Sequence, residues 1–193
     1  MPAAVRPKLL PGKVYRTSDL ARYGKNPTRL AQRLVVEGEL RPLAQGLYVH
    51  SRRSKFGPVP PTDTDLMRRF LQGSRFLLTG PDQWNALGLG STALFPTQLV
   101  YNRKRTGDVT LGGRQFRLRR VQFPKSPTSE YFAVDLIKNH RMAGVGLDEI
   151  GRGLERAVTT GRLDPVRLRE NAEQYGTKTA QDMIERATAP AAA

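Results

Sequence analysis

Residues 13–53, KVYRTSDLARYGKNPTRLAQRLVVEGELRPLAQGLYVHSRR, decide how the first part of this 193-residue chain folds. A short strand is expected at 13–16. Thr17 or Ser18 offers an N-cap for a helix running to Tyr23, and Gly24 closes it. Asn26 is a second cap, with Pro27 at the first helical position, where a missing N–H costs nothing. In the helix that follows, Leu30, Leu34 and Val35 share a face, and Gly38 ends it. Residues 40–42 and 47–50 can then pair as a hairpin across 44–46. Helix, four-residue turn, helix and hairpin, in that order, predict a winged helix-turn-helix.

Charge points the same way. The chain carries a formal net charge of +15, unevenly placed. Residues 1–60 hold 12 Lys/Arg against 3 Asp/Glu, and residues 101–125 hold 8 against 1. Residues 61–100 balance at 3 and 3, whereas 126–193 carry 9 against 10. Two basic blocks therefore supply the whole excess, a distribution that suits a polyanionic partner better than general solubility does. Other classes are disfavoured. The absence of cysteine excludes disulfides and thiolate metal sites, and the two histidines, His50 and His140, are far apart, so neither a metal nor a cofactor is expected. No apolar run is long enough to span a bilayer and no signal peptide is evident, so no membrane partner and a cytoplasmic location are expected.

Beyond the first module, residues 51–62 (SRRSKFGPVPPT) are rich in proline and charge and read as a connection. The expected fold class is α+β. A winged helix-turn-helix domain over 1–55 and a linker over 56–63 precede a mixed α/β domain over 64–193 with a helical C-terminal end. A short amphipathic helix is expected at 65–71 and strands at 76–78 and 99–102, with a helix carrying Trp84 and Leu87 between the strands. Residues 109–111 and 115–118 form a hairpin across Gly112-Gly113, with Val109 and Phe116 facing the core and Asp108 opposite Arg117. The alternation breaks at Arg119-Arg120, where a bulge or strand end is expected. Three helices follow: one with Leu147, Ile150, Leu154 and Ala157 on a face, one capped by Asp164-Pro165, and one starting at Thr177. The arm before Gly12 is expected to be extended, and the tail after Thr188 frayed.

Candidate DNA-contacting residues follow from this layout. Arg29, Gln32 and Arg33 lie opposite Leu30 and Leu34, with Thr28 at the start of the helix. Arginine can bond bidentately to guanine, and glutamine to adenine, in the major groove. Thr17, Ser18 and the N–H groups at the start of the first helix are candidates to hold a phosphate, and Asn26 stands at the turn. Tyr48, Arg52 and Arg53 lie on or just after the wing. A second basic patch comprises Arg103, Lys104, Arg105, Arg114, Arg117, Arg119 and Arg120, suited to DNA, RNA or an acidic protein face. Catalytic candidates are few. Glu130, Asp135 and Lys138 suggest a nuclease-like set, but the tight acid-x-lysine element such sites use is absent. The chain is therefore expected not to be an enzyme; the rival is a nucleic-acid-processing enzyme targeted by the winged helix.

The stretch GKVYRTSDLARYG…RLAQRLVVEGELRPLAQGLYVH, notably Arg33-Leu34, Gly38, Leu40, Arg41, Gly46 and Tyr48, resembles the N-terminal winged helix of AbiEi-type antitoxins. These belong to the type IV toxin–antitoxin, abortive-infection family. LLTGPDQWNALGLGSTALFPTQLVYNRKRTG looks like that family's C-terminal module, in which a helix ending A-L-G-L precedes a proline and a strand. The resemblance covers residues 13–125. It implies a phage-defence antitoxin that represses its own operon at inverted repeats in the promoter. It also implies action against a co-encoded nucleotidyltransferase-like toxin, by direct contact or through a shared target. One departure stands out. The proline-rich chain before Gly12 shows no first helix for a three-helix module, so that helix comes from elsewhere in the fold or is missing.

Overall fold

The computed structural model describes residues 7–90 and 97–189. The outermost part of the expected N-terminal arm, the proline of the A-L-G-L motif and the end of the expected tail lie outside the described residues. The fold is mixed α+β, and the chain divides into two compact units. One joins residues 1–76 to 103–118, and the other joins 77–102 to 119–193. The division therefore does not follow a boundary at 56–63. Strand pairing is the reason. Arg52–Ser54 (here β4) and Gly57–Val59 (β5) form an antiparallel hairpin where a linker is expected. Proline is tolerated there because a two-stranded hairpin has only edge strands.

In the first unit, Val14–Arg16 (β1), Arg41–Ala44 (β2) and Leu47–Val49 (β3) make an antiparallel sheet of order β1-β3-β2, with Tyr15 opposite Tyr48 and Arg41 opposite Val49. Between β1 and β2 run a 3-10 helix, Thr17–Tyr23, and an α-helix, Pro27–Val36 (α1). The first is not the α-helix expected, and its cap is Arg16 rather than Thr17 or Ser18. The Asp19 carboxylate accepts from the Arg16 N–H at 2.8 Å, and the Thr17 N–H donates to the Gly46 carbonyl at 3.0 Å. These bonds fix the start of a seven-residue segment, which takes the tighter winding common in short connectors. The second helix starts as the sequence predicts: Asn26 Oδ1 accepts from the Arg29 N–H at 2.9 Å, and Pro27 follows. Gly38, at φ +75°, turns the chain out of it, with the Glu39 and Leu40 N–H groups closing on the Leu34 carbonyl. Leu20, Leu30, Ala31, Leu34, Leu40 and Tyr15 form the core beneath.

A third helix, Asp63–Phe70 (α2), packs on β1 within this unit. Its N-cap Thr62 accepts from the Asp65 N–H at 3.1 Å. The last carbonyls of a helix have no intrahelical partner. Here Arg16 Nη1 donates to the Arg69 and Phe70 carbonyls (3.2 and 3.1 Å), and Lys104 Nζ to that of Leu71 (2.7 Å). The hairpin Gly107–Leu111 (β8) and Arg114–Arg120 (β9) joins the same unit, with Val109 opposite Phe116 and Asp108 opposite Arg117, the register expected. Its turn docks on β2, where the Gly112 N–H donates to the Leu43 carbonyl at 2.8 Å. A Cβ on Gly112 would stand 2.8 Å from Leu43 Cδ2, which would have to move aside, and the φ of +58° already favours glycine.

The second unit is built around Ser129–Lys138 (α4), most of which is buried. Phe76–Thr79 (β6), Thr97–Asn102 (β7) and the end of β9 accompany it, with a short helix, Pro81–Asn85 (α3), after β6. Strand β9 ends at Arg120, where the alternation breaks. Leu147–Thr159 (α5), Pro165–Tyr175 (α6) and Lys178–Thr188 (α7) pack with α4 around a core that includes Trp84, Tyr131 and Ile150. At the centre lies Asp135, only 1 % exposed. It accepts from Tyr101 Oη at 2.6 Å, Thr79 Oγ1 at 2.7 Å, Trp84 Nε1 at 3.0 Å and Asn139 Nδ2 at 3.1 Å. Burial pushes its carboxyl up from the ordinary range, while the bonds from Tyr101, Thr79 and Trp84 pull the other way. Every partner is a donor, so the node holds together through the acceptor-only carboxylate.

Asp135→Ala would leave these donors buried without a partner. It is expected to lower the unfolding free energy by about 3 kcal/mol, measured by urea denaturation followed on Trp84 fluorescence. An acid-limb effect is expected at the α6 cap. The Asp164 carboxylate accepts from the Arg167 and Val166 N–H groups, which hold its pKa below the ordinary carboxylate range. A lowered folded value gives a contribution that is complete above about pH 4 and disappears as pH falls through the folded pKa. Asp164→Asn should therefore flatten the stability profile below about pH 4 and leave its neutral limb little changed.

Candidate nucleic-acid interface

Helical spacing divides α1 into two faces. Leu30, Ala31 and Leu34 enter the core, and Thr28, Arg29, Gln32, Arg33 and Val36 face outward. With Tyr23 and Asn26, the outward residues from Arg29 onward border a shallow hollow of about 520 Å³. Among the described residues, the Arg29 and Gln32 side chains make no hydrogen bond or ion pair within the chain. Arg33 stands 3.6 Å from Glu37, with both side chains well exposed. An exposed pair of this kind contributes about 0–1 kcal/mol and exchanges readily for another anion. Arg22 lies over the Tyr23 ring at 4.7 Å, adding a cation beside the hollow. The face is basic and helical, and its arginines and glutamine are of the types able to bond to base edges.

The other residues singled out from the sequence separate into groups. Thr17 is half-buried with its N–H bonded to the Gly46 carbonyl, so that N–H is not open to a phosphate, whereas Ser18 is exposed. The Asn26 oxygen is occupied by the cap of α1. Tyr48 stands on β3 of the β2–β3 hairpin, with its ring packed against the core of the first unit. Arg52 is exposed on β4; Arg53 is also on β4, with its side chain outside the described residues. His50 Nε2 lies 3.5 Å from Glu39.

Several cations of the second basic block have partners within the chain, although of its seven residues only Arg114 and Arg119 are not exposed. Lys104 bonds the end of α2, and Arg105 stacks over Phe70 at 5.1 Å. Arg114 binds the start of α2, pairing with Asp63 at 2.5 Å and donating to the Pro61 carbonyl. Arg117 makes two 3.0 Å bonds to Asp108 across the hairpin, and Arg119 donates to Asn139 Oδ1 at 2.8 Å. Arg103 and Arg120 are exposed. The nuclease-like set does not converge either. Asp135 is buried among its four donors, Lys138 Nζ donates to the Tyr175 carbonyl at 2.8 Å, and Glu130 accepts from the Asp164 N–H at 3.2 Å. Among the described residues, no group of three or more His, Asp or Glu side chains gathers as a metal site requires, and no helix is long and apolar enough to cross a membrane.

Sequence reasoning missed two features. Arg16 secures the end of α2, a long-range bond with no local signal. The β4–β5 hairpin carries Phe56 at its tip, and the Gly57 that follows two turn residues is a signal that could have revealed it. No protein-family model matches the chain, and no curated protein matches it in sequence.

The contrast between the basic groups can be measured. Arg114→Ala is expected to lower stability by about 1–2 kcal/mol, because it removes a charge-assisted pair at the start of α2. Arg29→Ala should change stability by less than about 0.5 kcal/mol. Equal losses in urea titrations of the two variants would contradict this assignment.

Proposed function

We propose that this chain is a DNA-binding antitoxin that represses its own operon and counteracts a co-encoded nucleotidyltransferase-like toxin in the cytoplasm. The observation that carries the DNA part is the outward face of α1, where Arg29, Gln32 and Arg33 are exposed, with Arg29 and Gln32 making no internal bond among the described residues. Its setting supports a winged helix-turn-helix. A sheet of order β1-β3-β2 backs the helices, and α2, packed on β1, adds a further helix to the module. The antitoxin part rests on the resemblance over residues 13–125 to the AbiEi-type family. In this reading α1 enters the major groove, Arg29 and Arg33 address guanines, Gln32 addresses adenine, and Thr28 and Arg52 bond the backbone. A two-fold repeat would take two copies of the module.

Fluorescence anisotropy on the chain's own upstream DNA, against a scrambled duplex at two salt concentrations, tests the reading. Preference for the upstream duplex should persist at the higher salt. Arg29→Ala and Arg33→Ala should each weaken specific binding by about 1–3 kcal/mol and relax the preference at one base pair. Equal affinity for both duplexes, vanishing with salt, would overturn it. For the antitoxin part, co-expression should restore growth to cells producing the nucleotidyltransferase-like product of the adjacent gene; continued arrest would count against it.

A further inference from the structure

The β4–β5 hairpin has a form that the α1 reading leaves unused. Only two strands make it up, and its tip is Lys55-Phe56. Phe56 is 88 % exposed, in a chain whose other aromatic rings are mostly packed away. The tip is held in shape: Ser54 Oγ accepts from the Phe56 N–H at 3.2 Å and donates to the Gly57 carbonyl at 3.0 Å. Gly57, at φ +108°, supplies the turn that a side chain would resist. One cation lies against the ring, Lys55 Nζ at 4.9 Å from its centre, and Arg52 is exposed at the far end of β4.

A single exposed apolar ring is common on protein surfaces; this one is set apart by its place at the tip of a two-stranded basic hairpin with a lysine against it. The charge around it selects a polyanion over an apolar protein groove. A wedge between stacked bases satisfies both properties: phosphates meet the cations while the ring replaces a neighbouring base in the stack. Position agrees. Val35 and Glu37 at the end of α1 and Ser54, Gly57 and Pro58 of the hairpin border one hollow of about 1040 Å³, so the arm stands beside the end of that helix.

We infer that Phe56 inserts into a base-pair step of duplex DNA from the minor groove and kinks it, next to the site that α1 occupies. This rests on the DNA-binding reading above. The test uses the full chain and its upstream duplex, labelled at both ends for energy transfer and carrying 2-aminopurine in turn at each adenine. The wild type should shorten the end-to-end distance and brighten one 2-aminopurine. Phe56→Ala should bind about tenfold more weakly, with a straight duplex and no brightening, whereas Phe56→Leu should keep a partial bend. Wild-type binding to a straight duplex, or a Phe56→Ala variant that bends it equally, would remove the wedge and leave the α1 interface standing. If Phe56→Ala instead loses only binding to anionic vesicles or to the toxin, the ring serves another partner and the inference fails. Absence of any wild-type DNA binding would remove both readings together.

Discussion

The carbonyls of Arg69, Phe70 and Leu71 end α2 without intrahelical partners, and cations from two distant stretches close them: Arg16 from β1 and Lys104 from the approach to β8. The partial negative charge at a helix C-terminus makes these bonds stronger than neutral ones. At the other end Arg114 grips Asp63 and Pro61. These contacts bind three separated segments into one unit. They also place α2 against β1, so that β1, the 3-10 helix and α1 rest on a supported sheet edge. The outward face of α1 is exposed because its opposite face is taken up by the core it shares with the 3-10 helix.

The same cation type therefore does two kinds of work here. Arginines on α1 remain in water with little to bind within the chain, whereas those of the second block are largely engaged by carbonyls, a ring and carboxylates. Net charge alone does not tell these apart. A guanidinium bonded to a helix end is still counted as +1, but much of its capacity for an outside anion is already taken. Within 103–120, Lys104, Arg114 and Arg119 are committed to bonds inside the chain, whereas the Arg117–Asp108 pair is as exposed as the Arg33–Glu37 pair of α1.

Local chemistry was legible in the sequence, and long-range pairing was not. The Asn26-Pro27 start of α1, the Gly38 stop, the Asp164 cap and the Val109–Phe116 register all follow from side chains within a few residues of one another. The helix at the centre of the second unit, α4, was not read as one. Its residues are buried on nearly every side, so it lacks the polar stripe by which an amphipathic helix is recognised. The β4–β5 hairpin hid behind Pro58 and Pro60, which read as a linker until the pairing is seen. Of the proposed contact residues, those on α1 stand where the periodicity puts them. Thr17 and Tyr48 also make contacts that local sequence does not show, with the Gly46 carbonyl and with the core, while Asn26 caps α1 as its place before Pro27 predicts.

The first unit is discontinuous in the chain: residues 77–102 leave it before 103–118 complete it. During synthesis, the segment bearing α1 emerges early, but Lys104 and Arg114 follow only after much of another unit's sheet has been made. Until then the ends of α2 are open to water, and the hairpin that covers Leu43 does not exist. The support of α1 is thus complete only once residues 103–118 have been made, well after α1 itself. Incomplete polypeptides would carry the positive charge of the N-terminal block without the supported helix that gives it shape.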